Sequence, residues 1–469
     1  MADSPPEVRE RCYYTRPYGL LKKHRPLTIE ITDKPGSPTI IPRPEHSITR
    51  GNISESALKV LYRLKAAGFE AFLVGGGVRD LLLGREPKDF DIATDAHPEE
   101  VNELFRNSRL IGRRFKLVHV RFGREIIEVA TFRGTHDADN AGHMEDGMIL
   151  RDNVYGTLEE DAWRRDFTVN SLYYDIRDFS VVDYTGGVAD LEKGLLRIIG
   201  DAEQRYQEDP VRMLRAIRFA AKLGFRIHSD SDAPIANLGE RLEAVPAARL
   251  FDEMLKLFLS GYAVETFELL RHYDLFRYLF PMTDACLSRE EHGFPHMLVA
   301  KGLVNTDDRV AEGKPVTPAF LFAVLLWEPV RERAAALQVE GLSEIQALQQ
   351  AGDEIIAAQI QRVSLPKRFS LQTREIWVMQ ARLKRRNGKR AERLFEMTRF
   401  RAAYDFLLLR AETGEDELQP LAEWWTEYQE VNAEGRGAMA NKAPAGSTGG
   451  VKKRRRRRRK KTASGQADT

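Results

Sequence analysis

Up to about Gly200, short apolar runs alternate with amphipathic stretches; from Glu208 to about Leu421 the apolar positions recur at helical spacing almost throughout. Ser54–Phe69 is the first amphipathic stretch, and its spacing predicts a helix capped by Ser54 and ended by Gly68. Ala71–Val74 is continuously apolar and reads as a buried strand, followed by Gly75-Gly76-Gly77 and a helical pattern, Val78–Leu83, closed by Gly84. A loop with Pro87 leads to a second strand, Phe90–Ala93, and then to a helix over His97–Asn107. Two more strands are expected, in the second half of Leu110–Phe122 and over Glu125–Arg133, with Gly123-Arg124 as their hairpin turn. Val181–Tyr184 and Gly186-Gly187 complete an α/β segment. The pattern implies an extended or disordered, Pro-rich lead-in to about Gly51, a mixed α/β part to about Gly200, a helical remainder, and a linker with tail from Ala438. Trp377, Trp424 and Trp425 are read as packing residues of the helical part.

Composition narrows the class. At 469 residues, more than one domain is expected, and 42% hydrophobic with 30% charged residues suffices for a soluble core. Cys12 and Cys286 are too far apart to offer a disulfide framework or a zinc spacing, which suits a reducing, cytoplasmic setting. No apolar run is long enough to span a bilayer, and Met1–Tyr14 lacks the apolar core of a secretory leader. The formal charge of +2 hides an asymmetry. Lys452–Lys461 is unbroken Lys and Arg and carries ten positive charges, so the remainder stands at −8. Such a run is attracted to polyanions, RNA or DNA above all; a solubility tail or a contact with anionic membrane is the alternative.

The chemistry concentrates between Leu73 and Thr94. Asp89 and Asp91 sit at i and i+2 of an extended segment, so their side chains share a face. Adjacent carboxylates repel unless a cation joins them, and Mg²⁺ favours a few carboxylates together with substrate phosphates. Gly75 and Gly76 let backbone approach a phosphate closely, ahead of a helix N-terminus. A DxD or a glycine triplet alone is common in turns; strand, glycine turn, helix and DxD in succession point to metal-assisted nucleotidyl transfer. Glu128 is an acid within an apolar strand, read either as a solvent-facing edge charge or as a third carboxylate. His136–Gly147 is a polar loop without regular ligand spacing. Arg164 and Arg165 suit a triphosphate, since the guanidinium fork matches phosphate oxygens. Asp166, Thr168 and Asn170 beside them could touch a sugar or a metal, and salt bridging on a helix is the plainer reading. Asp209 before Pro210 reads as a helix N-cap, with Arg212, Arg215 and Arg218 as a basic stripe; either they brace the helix or Asp209 and Arg212 meet a base edge.

The motifs LVGGGVRD (73–80), DFDIAT (89–94), RRDFTVNSLYY (164–174), DYTGGVADL (183–191) and EDPVRMLRAIRFAAKLGF (208–225), in this order, resemble the bacterial tRNA-nucleotidyltransferase and poly(A) polymerase family. This is the class II branch of the polymerase-β-like nucleotidyltransferases. IPRPEHSITRGNIS (41–54), LIGRRFKLVHVRFGREIIEVATFRG (110–134), TPAFLFAVLLW (317–327), GKRAERLFEMTRFRAAYDFLLLRAE (388–412) and the Arg-rich tail are closer to its polyadenylating members than to its CCA-adding ones. The resemblance implies an α+β polymerase-β-like head with a small mixed sheet (52–200), followed by an all-α neck (201–270) that serves the nucleotide base and RNA, a body with an RNA-binding region (271–437), and a disordered linker and basic tail (438–469), after the lead-in (1–51). It implies template-independent transfer of AMP from ATP to RNA 3′ ends, in mRNA processing and decay, with CCA addition to tRNA as the alternative. By the same resemblance Asp89 and Asp91 bind Mg²⁺. Gly75, Gly76, Arg79, Arg164 and Arg165 meet the nucleotide, and Asp209, Arg212 and Arg215 serve the base. Asp166 matches the family's third acidic position, with Glu128 competing for it on geometry. The implied partners are ATP and RNA 3′ ends (mRNA, small RNA and, as a further candidate, tRNA), with RNA-decay proteins as candidates too.

Overall fold

The computed structural model describes residues 37–112, 116–134, 144–145, 148–149, 154–289 and 297–443. They fall into two compact units, Met1–Asp209 with Arg226–Ser231, and Pro210–Phe225 with Asp232–Thr469. The expected loop at 136–147 lies outside the described residues apart from the backbone of 144–145, and the basic run 452–461 lies outside them entirely.

The first unit contains β1 (Thr39–Ile41), α1 (Glu55–Ala66), β2 (Ala71–Val74), α2 (Gly76–Leu82), β3 (Asp91–Thr94), α3 (Pro98–Leu104), β4 (Ser108–Ile111), β5 (Leu117–Phe122) and β6 (Glu125–Thr131). It continues with α4 (Leu158–Arg164), β7 (Leu172–Asp175), β8 (Val181–Asp183), α5 (Gly187–Lys193) and α6 (Ala202–Glu208). The strands form one mixed eight-stranded sheet in the order β1-β8-β7-β2-β3-β6-β5-β4. Within it only β3 and β6 pair in parallel; the other pairings are antiparallel.

Strand alternation gives the sheet two unlike faces. Leu73, Ile92, Val118, Val120, Ile127, Val129 and Tyr174 face a core completed by Val60, Leu61 and Leu64 of α1 and by Val78 and Leu81 of α2. Val60, Leu61 and Leu64 are fully buried, each worth about 2 kcal/mol by area. Ser54 starts α1 as expected, its hydroxyl accepting from the Ala57 N–H at 3.1 Å. On the opposite face Phe72, Val74, Ala93, Tyr173 and Val182 are covered by Phe132 and by Ala162 of α4. The same face carries the candidate carboxylates.

Several boundaries move from their expected places. Order in the head begins well before residue 52, because β1 adds to the sheet edge beside β8 and Ile41 and Ile48 are buried. β4 was not anticipated: Arg109, Leu110 and Ile111 are all exposed, so burial leaves little alternation to read. The head also runs past Gly200, since α6 belongs to the first unit. At the other end the chain is helical through Ala433–Lys442, beyond the expected linker start at 438. Asn432 caps that helix through the Gly435 N–H, and Ala440 is buried against the core of the second unit.

The second unit is helical, apart from its loops, among the described residues. Trp377 and Trp425 are fully buried and donate their indole N–H groups to Ala323 O and Leu383 O, both at 3.1 Å, as expected of packing residues. No described helix is long and apolar enough to cross a membrane.

Candidate active site

One transverse row of residues crosses the whole sheet. Ile40, Val182, Tyr173, Val74, Asp91, Glu128, His119 and Arg109 are successive register partners from β1 to β4. Directly paired residues present their side chains to one face. The row is apolar or aromatic up to Val74 and polar beyond it. Asp91 therefore stands at the border between an apolar half-row, buried from Val182 to Val74, and a polar one. Asp89, two residues earlier, is exposed just ahead of β3.

Burial is the main reason the Asp91 carboxyl is pushed up to about 6; the Glu128 carboxylate adds to it, Arg165 opposes it, and Asp89 adds again. Three acids and one guanidinium thus share a field centred on Asp91. Among the described residues no three His, Cys, Asp or Glu side chains converge as a ready-made metal cage. A cation held by two carboxylates and completed by substrate phosphates needs no such cage, and that is the habit of Mg²⁺. The acids suit this ion, being hard oxygen donors whose mutual repulsion a cation relieves.

The glycine turn lies at the end of β2. Gly75 has φ 74°, the left-handed region, and its N–H donates to Leu172 O at 3.1 Å. A Cβ at Gly75 would lie 3.6 Å from Arg165 Nη1, and one at Gly77 3.4 Å from the Asp89 carbonyl. The turn is thereby packed against the DxD segment on one side and an arginine on the other.

Arg165 is held rather than loose. Its Nε donates to Tyr173 Oη (2.8 Å) and Asp161 Oδ2 (3.2 Å), and its Nη2 donates to Asp161 Oδ2 (2.9 Å). Tyr173 donates in turn to Asp161 at 2.7 Å. Burial works against the Arg165 charge, but Tyr173 and Asp161 overcome it and hold the guanidinium above its ordinary range. These bonds use Nε and Nη2 and leave Nη1 on the side of Gly75. Arg164 Nη1 donates to Gly134 O. From α6, Arg205 Nη2 donates to the carbonyls of Arg164 and Arg165 at 2.8 and 2.5 Å, fixing the end of α4.

Two residues expected at the substrate also carry internal hydrogen bonds. Arg79 is 2% exposed; it donates to Asp80 Oδ1 through Nε (2.9 Å) and Nη2 (2.7 Å), and to Asn170 Oδ1 through Nη1 (2.5 Å). These bonds tie the helix after the glycine turn to the segment after α4. Asp166 accepts from the Phe167 N–H (2.8 Å) and Asn170 Nδ2 (3.3 Å), so it shapes the turn after α4. Glu128, not Asp166, is the register partner of Asp91. Thr168 and Asn170 are likewise interior, Thr168 donating to Asp190 at 2.8 Å. The DYTGGVADL segment is the support under them. Asp183 accepts from the N–H groups of Thr185, Gly186, Gly187 and Val188 at 2.9–3.0 Å, and Gly187 lies so close to Thr168 O that a Cβ would be 2.2 Å away.

The N-cap position of the following helix falls on Pro210 rather than on Asp209. The Asp209 N–H closes α6 on Arg205 O (3.2 Å), and α7 (Val211–Leu223) starts after Pro210, already helical at φ −59°. Asp209 is in the first unit, Arg212 and Arg215 in the second. Arg212, Arg215 and Arg218 are half-buried along α7, and Arg218 lies 4.4 Å from the Phe219 ring centroid. Asp161, Tyr173, Arg205 and His119 were not singled out from the sequence. The Asp161–Arg165 pair has helical i,i+4 spacing, the one signal that could have exposed it.

Residues 71–197 match the family described as Poly A polymerase head domain. Residues 224–287 match Probable RNA and SrmB- binding site of polymerase A, and 340–461 match Polymerase A arginine-rich C-terminus. Over 398 residues the chain is 52% identical to Poly(A) polymerase I of Escherichia coli O6:H1, covering 83% of this chain and 86% of the relative. Its identity to the CCA-adding enzyme of Lactobacillus helveticus is 39% over 216 residues, 45% of this chain and 52% of that enzyme. Among solved structures, the Bacillus stearothermophilus CCA-adding enzyme in complex with CTP aligns with a TM-score of 0.54 at 26% identity, covering 82% of this chain and 84% of that one.

Proposed function

This chain belongs to the bacterial poly(A) polymerase family, and we infer from that membership how its residues divide the work. It is a nucleotidyltransferase that extends RNA 3′ ends with AMP from ATP, without a template, releasing pyrophosphate. The similarity to Poly(A) polymerase I spans most of the chain, whereas that to the CCA-adding enzyme spans less than half of it.

The observation that carries the assignment of the site is the register of Asp91 with Glu128, with Asp89 two residues before it. Asp89 and Asp91 hold Mg²⁺, and Glu128 is the third carboxylate. When bound, the ion supplies charge neutralisation for the triphosphate and lowers the pKa of an oxygen nucleophile. The chain's own task is positioning and electrostatics. Gly75 and Gly76 bring backbone close to the phosphates. Arg165, its other donors engaged, offers Nη1 beside them, and Arg164 adds a second cation. Arg79, Asp166 and Asn170 hold this arrangement without touching substrate. Asp209, Arg212 and Arg215 serve the adenine. The segment 224–287 and the tail at 452–461 contact RNA, drawn from mRNA, small RNA and tRNA. The enzyme works in the cytoplasm, in mRNA processing and with proteins of RNA decay.

Primer extension tests this reading. Generic RNA and Mg²⁺ are incubated with each nucleoside triphosphate separately and products are resolved at single-nucleotide steps. A long ladder with ATP alone is expected, and the Asp89→Ala/Asp91→Ala double variant should retain RNA while making none. Addition that stops after a few nucleotides, requires CTP and prefers tRNA would establish CCA addition instead. Activity that persists in the double variant removes the metal assignment.

A further inference from the structure

The register row continues past the carboxylates to a residue that the reaction as described does not use. His119 of β5 is the direct partner of Glu128 across the β5–β6 hairpin, and Glu128 is the direct partner of Asp91 across the parallel β6–β3 pair. Three consecutive strands thus place Asp91, Glu128 and His119 side by side on one face. The contact is explicit: His119 Nε2 lies 3.1 Å from Glu128 Oε1. About half of the Glu128 side chain is exposed and about a quarter of the His119 side chain, so the bond stands at the open edge of the site rather than in the core.

A glutamate on a half-exposed strand position has several rotamers open to it, and a free carboxylate would spread over them. The imidazole removes that freedom at one oxygen. With its proton on Nε2, His119 donates to Oε1, and Oε2 has no partner among the described residues. One oxygen is anchored outward, toward β5, while the other remains available to the Asp91 side. Carboxylates that bind ions are commonly fixed by such an outer hydrogen bond, and loss of the partner typically costs about 10–100-fold in affinity or rate.

We propose that His119 is a positioning residue for polyadenylation, orienting Glu128 by anchoring Oε1 so that Oε2 faces the reaction centre. The proposal rests on the assignment of Glu128 as third carboxylate, and its test separates the two. His119→Gln keeps a donor at comparable reach, whereas His119→Asn is too short; both are polar substitutions at a partly exposed strand position. Mn²⁺ binding to the full-length chain is measured by electron paramagnetic resonance without RNA or ATP, beside kcat and KM for ATP. Glu128→Gln serves as the reference variant, and circular dichroism checks the fold.

His119→Asn is expected to weaken Mn²⁺ binding about tenfold or more and to lower kcat similarly, with KM for ATP little changed. His119→Gln should recover most of both. If His119→Asn, folded, binds Mn²⁺ and turns over like the parent while Glu128→Gln is impaired, Glu128 keeps its role and the proposal for His119 is overturned. If Glu128→Gln also matches the parent, the assignment of Glu128 has failed and the proposal falls with it. Equal defects in His119→Gln and His119→Asn would likewise overturn it, since the donor would then not be what matters.

Discussion

Replacing Asp91 by Asn should stabilise the head while abolishing its activity. The carboxyl is pushed from 3.8 up to about 6 by burial, with Glu128 and Asp89 adding and Arg165 opposing. A native state that prefers the protonated acid is strained by ionising it. The sign follows: stability is greatest below the unfolded value, falls as pH rises from 3.8 towards about 6, and stays low above that. A displacement of this size corresponds to about 3 kcal/mol, and partial solvent access brings the expectation to about 1–3 kcal/mol. Asn keeps the shape and discards the charge, so above the window it should recover that amount. The assay is native-state hydrogen exchange on peptides covering β2, β3 and β6, with a chelator present, at about pH 8 and about pH 4. Protection of these peptides should rise in Asp91→Asn at the higher pH and match the parent at the lower. Mg²⁺ should then stabilise the parent and not the variant. A variant no more stable than the parent at high pH, or more stable by the same amount at both, would refute the reasoning.

Three further outcomes follow from the supports of the site and from the basic tail. Arg79→Met removes the guanidinium between Asp80 and Asn170 and should cost about 3–5 kcal/mol in urea denaturation, with Arg79→Lys recovering little because two branches of the fork serve two residues. Gly187→Ala places a methyl 2.2 Å from Thr168 O and should cost about 1–3 kcal/mol, with a fall in kcat as the segment after α4 is displaced. Deleting Lys452–Lys461 should weaken RNA binding and flatten its dependence on salt, by about 0.7 in the log–log slope for each phosphate the run neutralises; filter binding across a salt series reads this, and an unchanged slope would show that the run does not touch RNA.

Much of the head could be read from its residues because its signals are local. The Ser54 cap, the glycine turn and the hairpin at Gly123-Arg124 each depend on neighbours in sequence. The strand β4 was opaque because its outer residues are exposed and carry no alternation. The partners of Arg79 are hidden for another reason. Charged residues in a glycine-rich motif suggest substrate, and only tertiary packing shows that Arg79 faces inward onto Asn170, ninety-one positions away. The pairing of Glu128 with Asp91 depends on which strands adjoin, which residue patterns do not reveal. His119 was within reach: in a hairpin turning at Gly123-Arg124, Phe122 pairs with Glu125, and counting outward puts His119 opposite Glu128.

The parallel β3–β6 junction also sets which length changes this enzyme lineage can accept. Asp91 and Glu128 arrive from separate segments joined by a crossover that includes α3, β4 and β5. Residues added between α3 and β4, outside the ladder, lengthen a loop and leave the meeting point of the acids intact. A single residue inserted between Glu125 and Glu128 is different. Side chains alternate faces along a strand, so the odd step turns Glu128 into the apolar layer beneath the sheet unless a bulge absorbs it. The hairpin should therefore keep its length across descendants while the loop between α3 and β4 drifts, and deep insertion scanning would show a sharp parity rule in β6 and tolerance in that loop.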